Sequence, residues 1–504
     1  MPDAPAHLYS NRKNTMLKNT VLSAAIAAAF ALPLSASAAD TKELDAIREQ
    51  IRQMKESYEA RLQALEQRLQ DAQAAVAEAQ NAAAAAQQQA VAATPAPTAA
   101  QSATPQAPAP AAPAPVAAAS SAGGVAQREN NFTPSSFNPS IGLVLGGTLS
   151  NLQRDPGTYR FGGFMPPEGE VGPGSRSFNL GESELTMSAN IDPTFAGQIT
   201  FALSGENEVE VEEAYVRTRE LGGGINGKGG RFLSGVGYLN ALHSHTWDFA
   251  DAPLAYQAFF GGQYKVDGVQ ARWLAPLNTF LELGVELGNG RAFPGNDRNK
   301  NGVGATSVFA HVGDDIGDSS SWRAGLSYLR TRADNREFED EGVVNAFSGR
   351  STMWVADAVY KWAPNGNPTQ RNFKLQGEYM RRKETGALAS GELADAYAST
   401  QSGWYLQGVY QFMPNWRAGL RYDRLSSGTP YIGLVESGAL GLEAFPALAS
   451  HAPKRASVMV DYSPSEFSRL RLQFARDEAR PGVSDNQVFL QYIMSLGAHA
   501  AHAF

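Results

Sequence analysis

The sequence of 504 residues contains no cysteine, which excludes disulfides, thiolate metal sites and cysteine nucleophiles. Beyond the N-terminal segment it also lacks any apolar run of about 18 residues, so a bundle of membrane-spanning helices is excluded. Basic residues are not in excess, since the net charge is −8, and this argues against a nucleic-acid partner. Nucleophile elbows, zinc-protease helices and phosphate loops are missing too. We therefore predict neither an enzyme nor a bound cofactor.

The N-terminal segment has the features of an export signal. Lys18 precedes an apolar core at 21–34, and residues 36–38 (Ala-Ser-Ala) have the pattern of a cleavage site. These features predict a signal peptide over residues 1–38, and a start at Met16 would keep all of them. The mature chain would then be directed to the periplasm, the outer membrane or the medium.

Two segments of different composition follow the signal. Residues 39–81 carry apolar side chains at alternating steps of three and four, from Leu44 to Val76, and this spacing predicts a short α-helical coiled coil that self-associates. A single amphipathic helix on the protein's own surface is the alternative. Residues 82–129 are rich in alanine, proline and glutamine, a composition that predicts a disordered linker.

Residues 130–504 consist of segments in which apolar and polar residues alternate. Phe373 and Leu375, for example, occupy one face of their segment, while Lys374 and Gln376 occupy the other. The polar faces are too charged for the core of a soluble sandwich but suit a watery lumen. The segments are long enough to cross a bilayer at a tilt, and aromatic residues cluster near their ends. The pattern predicts an all-β transmembrane barrel of about 16 antiparallel strands.

Strands and loops can be placed along this region. The four longer runs between strands are predicted to be external loops, at 289–304, 332–350, 384–401 and 425–452. Phe504 is predicted to be an assembly signal, because barrels of this kind commonly end on phenylalanine. The strands are predicted to begin near Ser140, Arg176, Ala196, Val209, Gly229, Lys265, Thr279, Ala305, Ser321, Thr352, Asn372, Gly403, Asn415, Lys454, Ser468 and Asn486.

The predicted inward positions carry charges of both signs. The arginines predict a path for anions, but the carboxylates would offset them, so weak selectivity is the alternative. The pore-lining candidates on the strands are Arg217, Arg323, Arg417, Arg421, Arg469, Arg471, Glu213 and Asp423.

One loop concentrates titratable residues in the stretch HSHTWDFADAP. It places His243, His245, Asp248 and Asp251 within nine residues. In a loop that narrows the pore, all four would be pore-lining candidates. Alternatively, His243, His245 and Asp248 could bind a metal ion, but a zinc site needs three or four converging ligands.

The chain resembles outer-membrane porins of the phosphate-selective (O/P) type. The resemblance is carried by VEEAYVRT (211–218), GRFLSGVGYLN (230–240), DAPL (251–254) and DGVQARW (267–273), and it covers most of residues 130–504. It implies a channel in which a long loop folds inward after the Gly-Arg-Phe strand.

The chain also resembles a group labelled zinc-regulated TonB-dependent outer membrane receptor. The matching residues are HSHTWDFADAPL (243–254), KWAPNGNPTQRNFKLQGEY (361–379) and IMSLGAHAAHAF (493–504). This second resemblance implies energy-coupled uptake of metal. Such a receptor needs a globular plug and a barrel of about 22 strands, however, and the segments before this barrel have no plug-like pattern.

The function predicted from the sequence is an outer-membrane channel for passive diffusion of small hydrophilic solutes, anions among them. A receptor for zinc uptake and a tether between outer membrane and cell wall are the alternatives. The predicted partners are outer-membrane lipid and lipopolysaccharide, two further copies of the chain in a homotrimer, and peptidoglycan in the case of a tether. The coiled coil would then lie in the periplasm.

Overall fold

The computed structural model describes residues 139–167, 171–203, 208–219 and 221–497. The predicted signal peptide, coiled coil and linker lie outside these residues, and so does Phe504. The described chain forms one antiparallel sheet whose strands are β1 (Ser140–Leu152), β2 (Ser177–Asn190), β3 (Phe195–Leu203), β4 (Val209–Thr218), β5 (Ile225–Leu233), β6 (Lys265–Leu274), β7 (Phe280–Gly288), β8 (Ala305–Ile316), β9 (Ser320–Asp340), β10 (Val343–Trp362), β11 (Asn372–Ser390), β12 (Leu393–Met413), β13 (Trp416–Ser426), β14 (Tyr431–Ile432), β15 (Lys454–Ser465), β16 (Ser468–Asp477) and β17 (Asp485–Gly497).

The sheet closes into a barrel because β1 pairs with both β2 and β17. The two-residue β14 lies in the connection between β13 and β15, which pair directly with each other. Without β14, the 17 strands of the sheet leave 16 in the barrel wall. The predicted barrel of about 16 antiparallel strands is therefore confirmed.

The wall is apolar outside and polar inside. Leu326, Leu420 and Leu472 are among many exposed outward side chains, whereas inward residues such as Gln407 and Gln473 are buried. Soluble proteins do the reverse: they bury apolar side chains and expose polar ones. The distribution follows from the alternation of the sequence, since successive residues of a strand point to opposite faces. It is the distribution that a lipid-facing barrel requires.

Outward aromatic side chains form two rows around one side of the barrel. On four strands the members of the two rows lie six positions apart, about 20 Å along the strand, and small or branched apolar residues separate them. This arrangement matches the aromatic girdles of membrane barrels. The first row is Trp322, Tyr360, Tyr410, Trp416 and Tyr462, and the second is Tyr328, Trp354, Tyr379, Trp404 and Tyr422.

The four strands β9–β12 are longer than the rest of the wall. They have 19 to 21 residues, whereas the other wall strands have 9 to 14. The prediction of loops at 332–350 and 384–401 was therefore wrong. Both runs belong largely to strands joined by turns at 341–342 and 391–392. Their outward side chains are mostly small or polar, so they lack the alternation of large apolar and polar residues by which strands are recognised, although backbone pairing continues through them.

Connections at the two ends of the barrel differ in length. At one end, called here the short-turn end, they run from two to nine residues, for example at 414–415 and 363–371. At the other end, three long connections fold into the lumen: 153–176, 234–264 and 427–453. No helix among the described residues is long and apolar enough to span a membrane.

Candidate functional site

The connection at 234–264, called here the inserted loop, occupies the lumen. It contains α1 (Leu254–Phe260), in which all seven residues are buried. The helix is apolar on every side except Gln257, and such a helix is stable only when it is surrounded. It ends at Gly261, whose φ of 71° is left-handed and therefore favours glycine. The interior of the barrel is thus packed around this helix.

Buried arginines of β13, β15 and β16 bind the inserted loop to the wall. Arg421 Nη2 donates to Asp251 Oδ1 at 2.7 Å, and Arg455 Nη1 lies 2.7 Å from the other oxygen of the same carboxylate. Arg471 Nη2 donates to the carbonyl of Trp247 at 2.6 Å. Arg421 and Arg471, predicted to line the pore, point inward as expected but are covered by the loop. They fix the loop instead of facing water.

The acidic residues of the inserted loop are held in their charged forms. Burial alone would raise the pKa of Asp251, but the guanidinium groups of Arg421 and Arg455 outweigh it and lower the pKa to about 2. Burial is likewise outweighed at Asp248, where Lys374 and Arg417 lower the pKa below its usual value. Both carboxylates therefore stay ionised at neutral pH.

Carboxylates of the wall complete the anchoring. Glu378 accepts hydrogen bonds from the backbone N–H of Leu239 at 2.9 Å and from the hydroxyl of Tyr256 at 2.9 Å. Asp423, another predicted pore-lining residue, accepts from the backbone N–H of Leu254 at 2.9 Å, at the start of α1. It is buried as well, so it anchors the loop and does not face the lumen.

Eight basic side chains form a ring inside the barrel at its short-turn end. Each takes an inward position within three residues of a strand end, and none is fully buried. The ring, called here the basic ring, contains Arg217, Lys228, Arg272, Arg323, Lys361, Lys374, Arg417 and Arg469.

Exposure separates the cations of the lumen from its anions. The side chains of Arg272, Lys374 and Arg417 are 25%, 19% and 24% exposed. Most inward carboxylates of the described wall are buried instead. The exceptions include Glu282, which is half-buried, and Asp315 and Asp395, which are exposed near strand ends. Water in the lumen therefore meets mostly positive charge, although the sequence suggests a balance of signs. The buried carboxylates are Glu184, Glu212, Glu213, Glu286, Asp357, Glu378, Glu384, Asp423, Asp461, Asp477 and Asp485.

Part of the basic ring is neutralised locally. Arg417 lies 2.6 Å from Asp461 and 3.1 Å from Asp248, and Lys374 lies 2.5 Å from Asp248. Arg272 lies 3.6 Å from Glu282.

Three other members of the ring form no ion pair with any carboxylate in the described ranges. Lys228 lies over the ring of Tyr215 at 4.2 Å, and Arg323 lies over Tyr238 at 5.2 Å. Arg469 donates to the backbone carbonyl of His245. No ion pair with a described carboxylate therefore offsets the charge of these three cations.

A histidine–carboxylate cluster lies where the inserted loop meets β2 and β4. His243 Nδ1 is 3.0 Å from Glu184 and 3.1 Å from Glu212, and its Nε2 is 3.2 Å from Glu213. His245 Nδ1 is 2.8 Å from Glu184. Burial would lower the pKa of His243, but the surrounding carboxylates raise it well above its usual value.

The predicted metal set of His243, His245 and Asp248 does not form. Asp248 binds Lys374 and Arg417 and is absent from the described group of converging ligands. The carboxylates beside the histidines come from the barrel wall, and a local sequence motif contains no information about them.

Several residues of the site were not singled out from the sequence. Lys228, Arg272, Lys361 and Lys374 complete the basic ring, and their signal is an inward position next to a short turn. Glu212 was missed for another reason. The register of β3 against β4 shifts between Thr200 and Phe201, so a bulge turns Glu212 inward together with Glu213.

Comparison with known proteins gives one relative by sequence and several by structure. No family model matches the chain. An uncharacterized protein of Aquifex aeolicus (strain VF5) is 30% identical over 413 residues, which are 75% of this chain and 82% of that protein.

Three solved outer-membrane proteins are similar in structure. The channel DcaP of Acinetobacter baumannii has a TM-score of 0.46 and 13% identity, over 71% of this chain and 97% of that one. A loop L8 deletion mutant of OmpT of Vibrio cholerae has a TM-score of 0.46 and 12% identity, over 71% of this chain and 99% of that one. The anion-selective porin from Comamonas acidovorans has a TM-score of 0.42 and 11% identity, over 71% of this chain and 99% of that one.

Proposed function

We propose that this chain, which belongs to the same family as the Aquifex aeolicus protein, is an outer-membrane channel for passive diffusion of small hydrophilic solutes, with a preference for anions. The observation that carries the proposal is the basic ring. Its side chains are partly exposed in the lumen, whereas most of the inward carboxylates are buried.

The outer surface supports a location in the outer membrane. Apolar side chains cover the outside of the wall between two rows of aromatic residues. In barrels of this membrane the short turns face the periplasm and the long loops face outward. The basic ring would then lie at the periplasmic mouth of the channel.

The preference for anions follows from electrostatics. A ring of like charges inside a low-dielectric wall raises the local concentration of counter-ions and excludes ions of its own sign. Partial neutralisation of Arg417 and Lys374 by Asp248 weakens this field without reversing it. Lys228, Arg323 and Arg469 are expected to contribute most, because no carboxylate pairs with them in the described ranges. The predicted O/P type of porin is compatible with such a ring.

The homotrimer and the periplasmic coiled coil stay predictions from the sequence. A trimeric coiled coil at 39–81 would bring three barrels together, and cross-linking of the full chain against one lacking 39–124 tests this arrangement.

Swelling of liposomes that contain the purified chain tests the channel directly. Small sugars and small organic anions should enter and swell the vesicles, and the anions should enter faster than sugars of similar size. Vesicles that do not swell with any of these solutes would contradict the proposal.

A further inference from the structure

The histidine–carboxylate cluster is built by irregular strands on both of its sides. The bulge in β4 places Glu212 and Glu213 on the same face, which regular alternation forbids. The pairing of β1 with β2 also shifts, between Val144 and Gly146, directly beside Glu184. Bulges aim side chains that regular strands would turn away. Two of them here direct three carboxylates at one imidazole.

The cluster has an excess of buried negative charge. The side chains of Glu184, Glu212 and Glu213 are 2%, 3% and 6% exposed. Two histidines face these three carboxylates, so full protonation of both imidazoles would still leave one negative charge. Lys228 of the basic ring also acts on Glu213, so Glu184 and Glu212 are the converging buried carboxylates that a further cation would stabilise.

Spacing within the cluster fits a coordination sphere. His243 Nδ1 lies 3.0 and 3.1 Å from oxygens of Glu184 and Glu212, and the three ligand atoms lie within 4.8 Å of one another. Ligands bound to one metal ion at about 2.1 Å are separated from each other by about 3.0–3.4 Å. We propose that Glu184, Glu212 and Nδ1 of His243 bind one divalent cation. Glu213 would orient the His243 ring through its Nε2, and His245 would orient the carboxylate of Glu184.

The ligand types narrow the choice of ion. Carboxylate oxygens suit manganese and magnesium, whereas imidazole suits zinc, copper, nickel and iron. A set of two carboxylates and one imidazole therefore selects a divalent transition metal over magnesium or calcium. The bound ion would join β2 and β4 to the inserted loop and would fix the loop to a part of the wall that its arginine anchors on β13, β15 and β16 do not contact.

Manganese and zinc are the probes for this site. The full chain, without a histidine tag and stripped with EDTA, is titrated with Mn²⁺ by electron paramagnetic resonance and with Zn²⁺ by calorimetry. One ion per chain should bind with saturation. Glu212→Gln and His243→Gln should each weaken binding by about tenfold or more. Heat-modifiable migration on gels verifies that each variant has a folded barrel.

A second histidine–carboxylate pair provides the matched control. His311 Nδ1 lies 3.0 Å from Glu282, but this pair does not belong to the described group of three converging ligands, so Glu282→Gln should leave binding unchanged. Absence of saturable binding by either ion would overturn the proposal. Binding that survives Glu212→Gln and His243→Gln but disappears in a His499→Gln, His502→Gln chain would also overturn it, since the ion would then bind at the C-terminus. Neither result would bear on the liposome test of the channel.

Discussion

The carboxylate of Asp248 lies 2.5 Å from Nζ of Lys374, so the inserted loop neutralises part of the basic ring. The same carboxylate lies 3.1 Å from Arg417. One buried residue of the loop therefore limits how much positive charge two wall residues present to the lumen.

Replacing this carboxylate should strengthen the preference for anions. Asp248→Asn removes the negative charge that pairs with Lys374 and Arg417. We therefore expect the zero-current potential in a salt gradient to move toward the chloride equilibrium potential. The barrel should be destabilised by about 1–3 kcal/mol, because both cations keep partial contact with water. Asp251→Asn is the control: its partners Arg421 and Arg455 are buried, so the selectivity should change less. Equal shifts in the two variants would contradict this account.

Removing the unpaired cations should have the opposite effect. In a triple variant, Lys228→Gln, Arg323→Gln and Arg469→Gln, the zero-current potential should move away from the chloride equilibrium potential, because no ion pair with a described carboxylate offsets these charges. Arg476→Gln removes an exposed outward cation that pairs with Glu478, and it should leave the potential as it was. A triple variant that behaves like Arg476→Gln would show that the basic ring does not set the selectivity.

Acid should weaken the anchoring of the loop only at low pH. The pKa of Asp251 is lowered to about 2 in the folded protein, from the ordinary 3.8. A lowered pKa contributes stability that is fully present above the unfolded value and is lost as the pH falls through the folded value. We therefore expect that this group leaves the melting temperature constant from pH 7 to about 5. Between about pH 4 and 2 its protonation should lower the free energy of unfolding by about 2 kcal/mol.

Circular dichroism of the detergent-solubilised barrel measures this dependence on pH. Asp251→Asn should remove the corresponding part of the acid sensitivity, because the variant has no carboxyl group to protonate there. An unchanged acid profile in the variant would contradict the assignment.

Gly237 is required where the inserted loop passes Glu378. Its φ is 75°, and a Cβ at this position would lie 2.4 Å from Oε2 of Glu378 and 2.8 Å from the hydroxyl of Tyr256. Gly237→Ala should therefore displace the loop and destabilise the barrel by about 1–3 kcal/mol. Thermal melts measure the effect, and Gly147→Ala, where a Cβ meets nothing within 4 Å, should be neutral. Equal melting temperatures for the two variants would be the contrary result.

The sequence predicts the barrel wall well because lipid and water impose a period of two on each strand. Fourteen of the sixteen predicted strand starts lie within four residues of those in the structure. The exceptions are the starts placed at Thr352 and Gly403. Strands β10 and β12 begin about ten residues earlier, where small or polar outward side chains hide the alternation.

The candidate site was less predictable, because it depends on what covers each inward residue. Arg421 and Arg417 have the same parity in β13, yet the inserted loop buries the first and leaves the second partly exposed. No local pattern in the sequence shows which wall residues a loop of this length will cover. Glu212 could not be predicted either, because the extra residue of a β-bulge places it on the opposite face from the one that alternation assigns.

The zero-current potential of the unmodified chain in a planar bilayer, under a gradient of KCl, tests the central claim most directly. We expect unitary conductance steps and a zero-current potential shifted from zero toward the chloride equilibrium potential. High salt should reduce the preference for anions, because it screens the basic ring. A zero-current potential shifted toward the potassium equilibrium potential, or a membrane without unitary conductance steps, would contradict an anion-preferring channel.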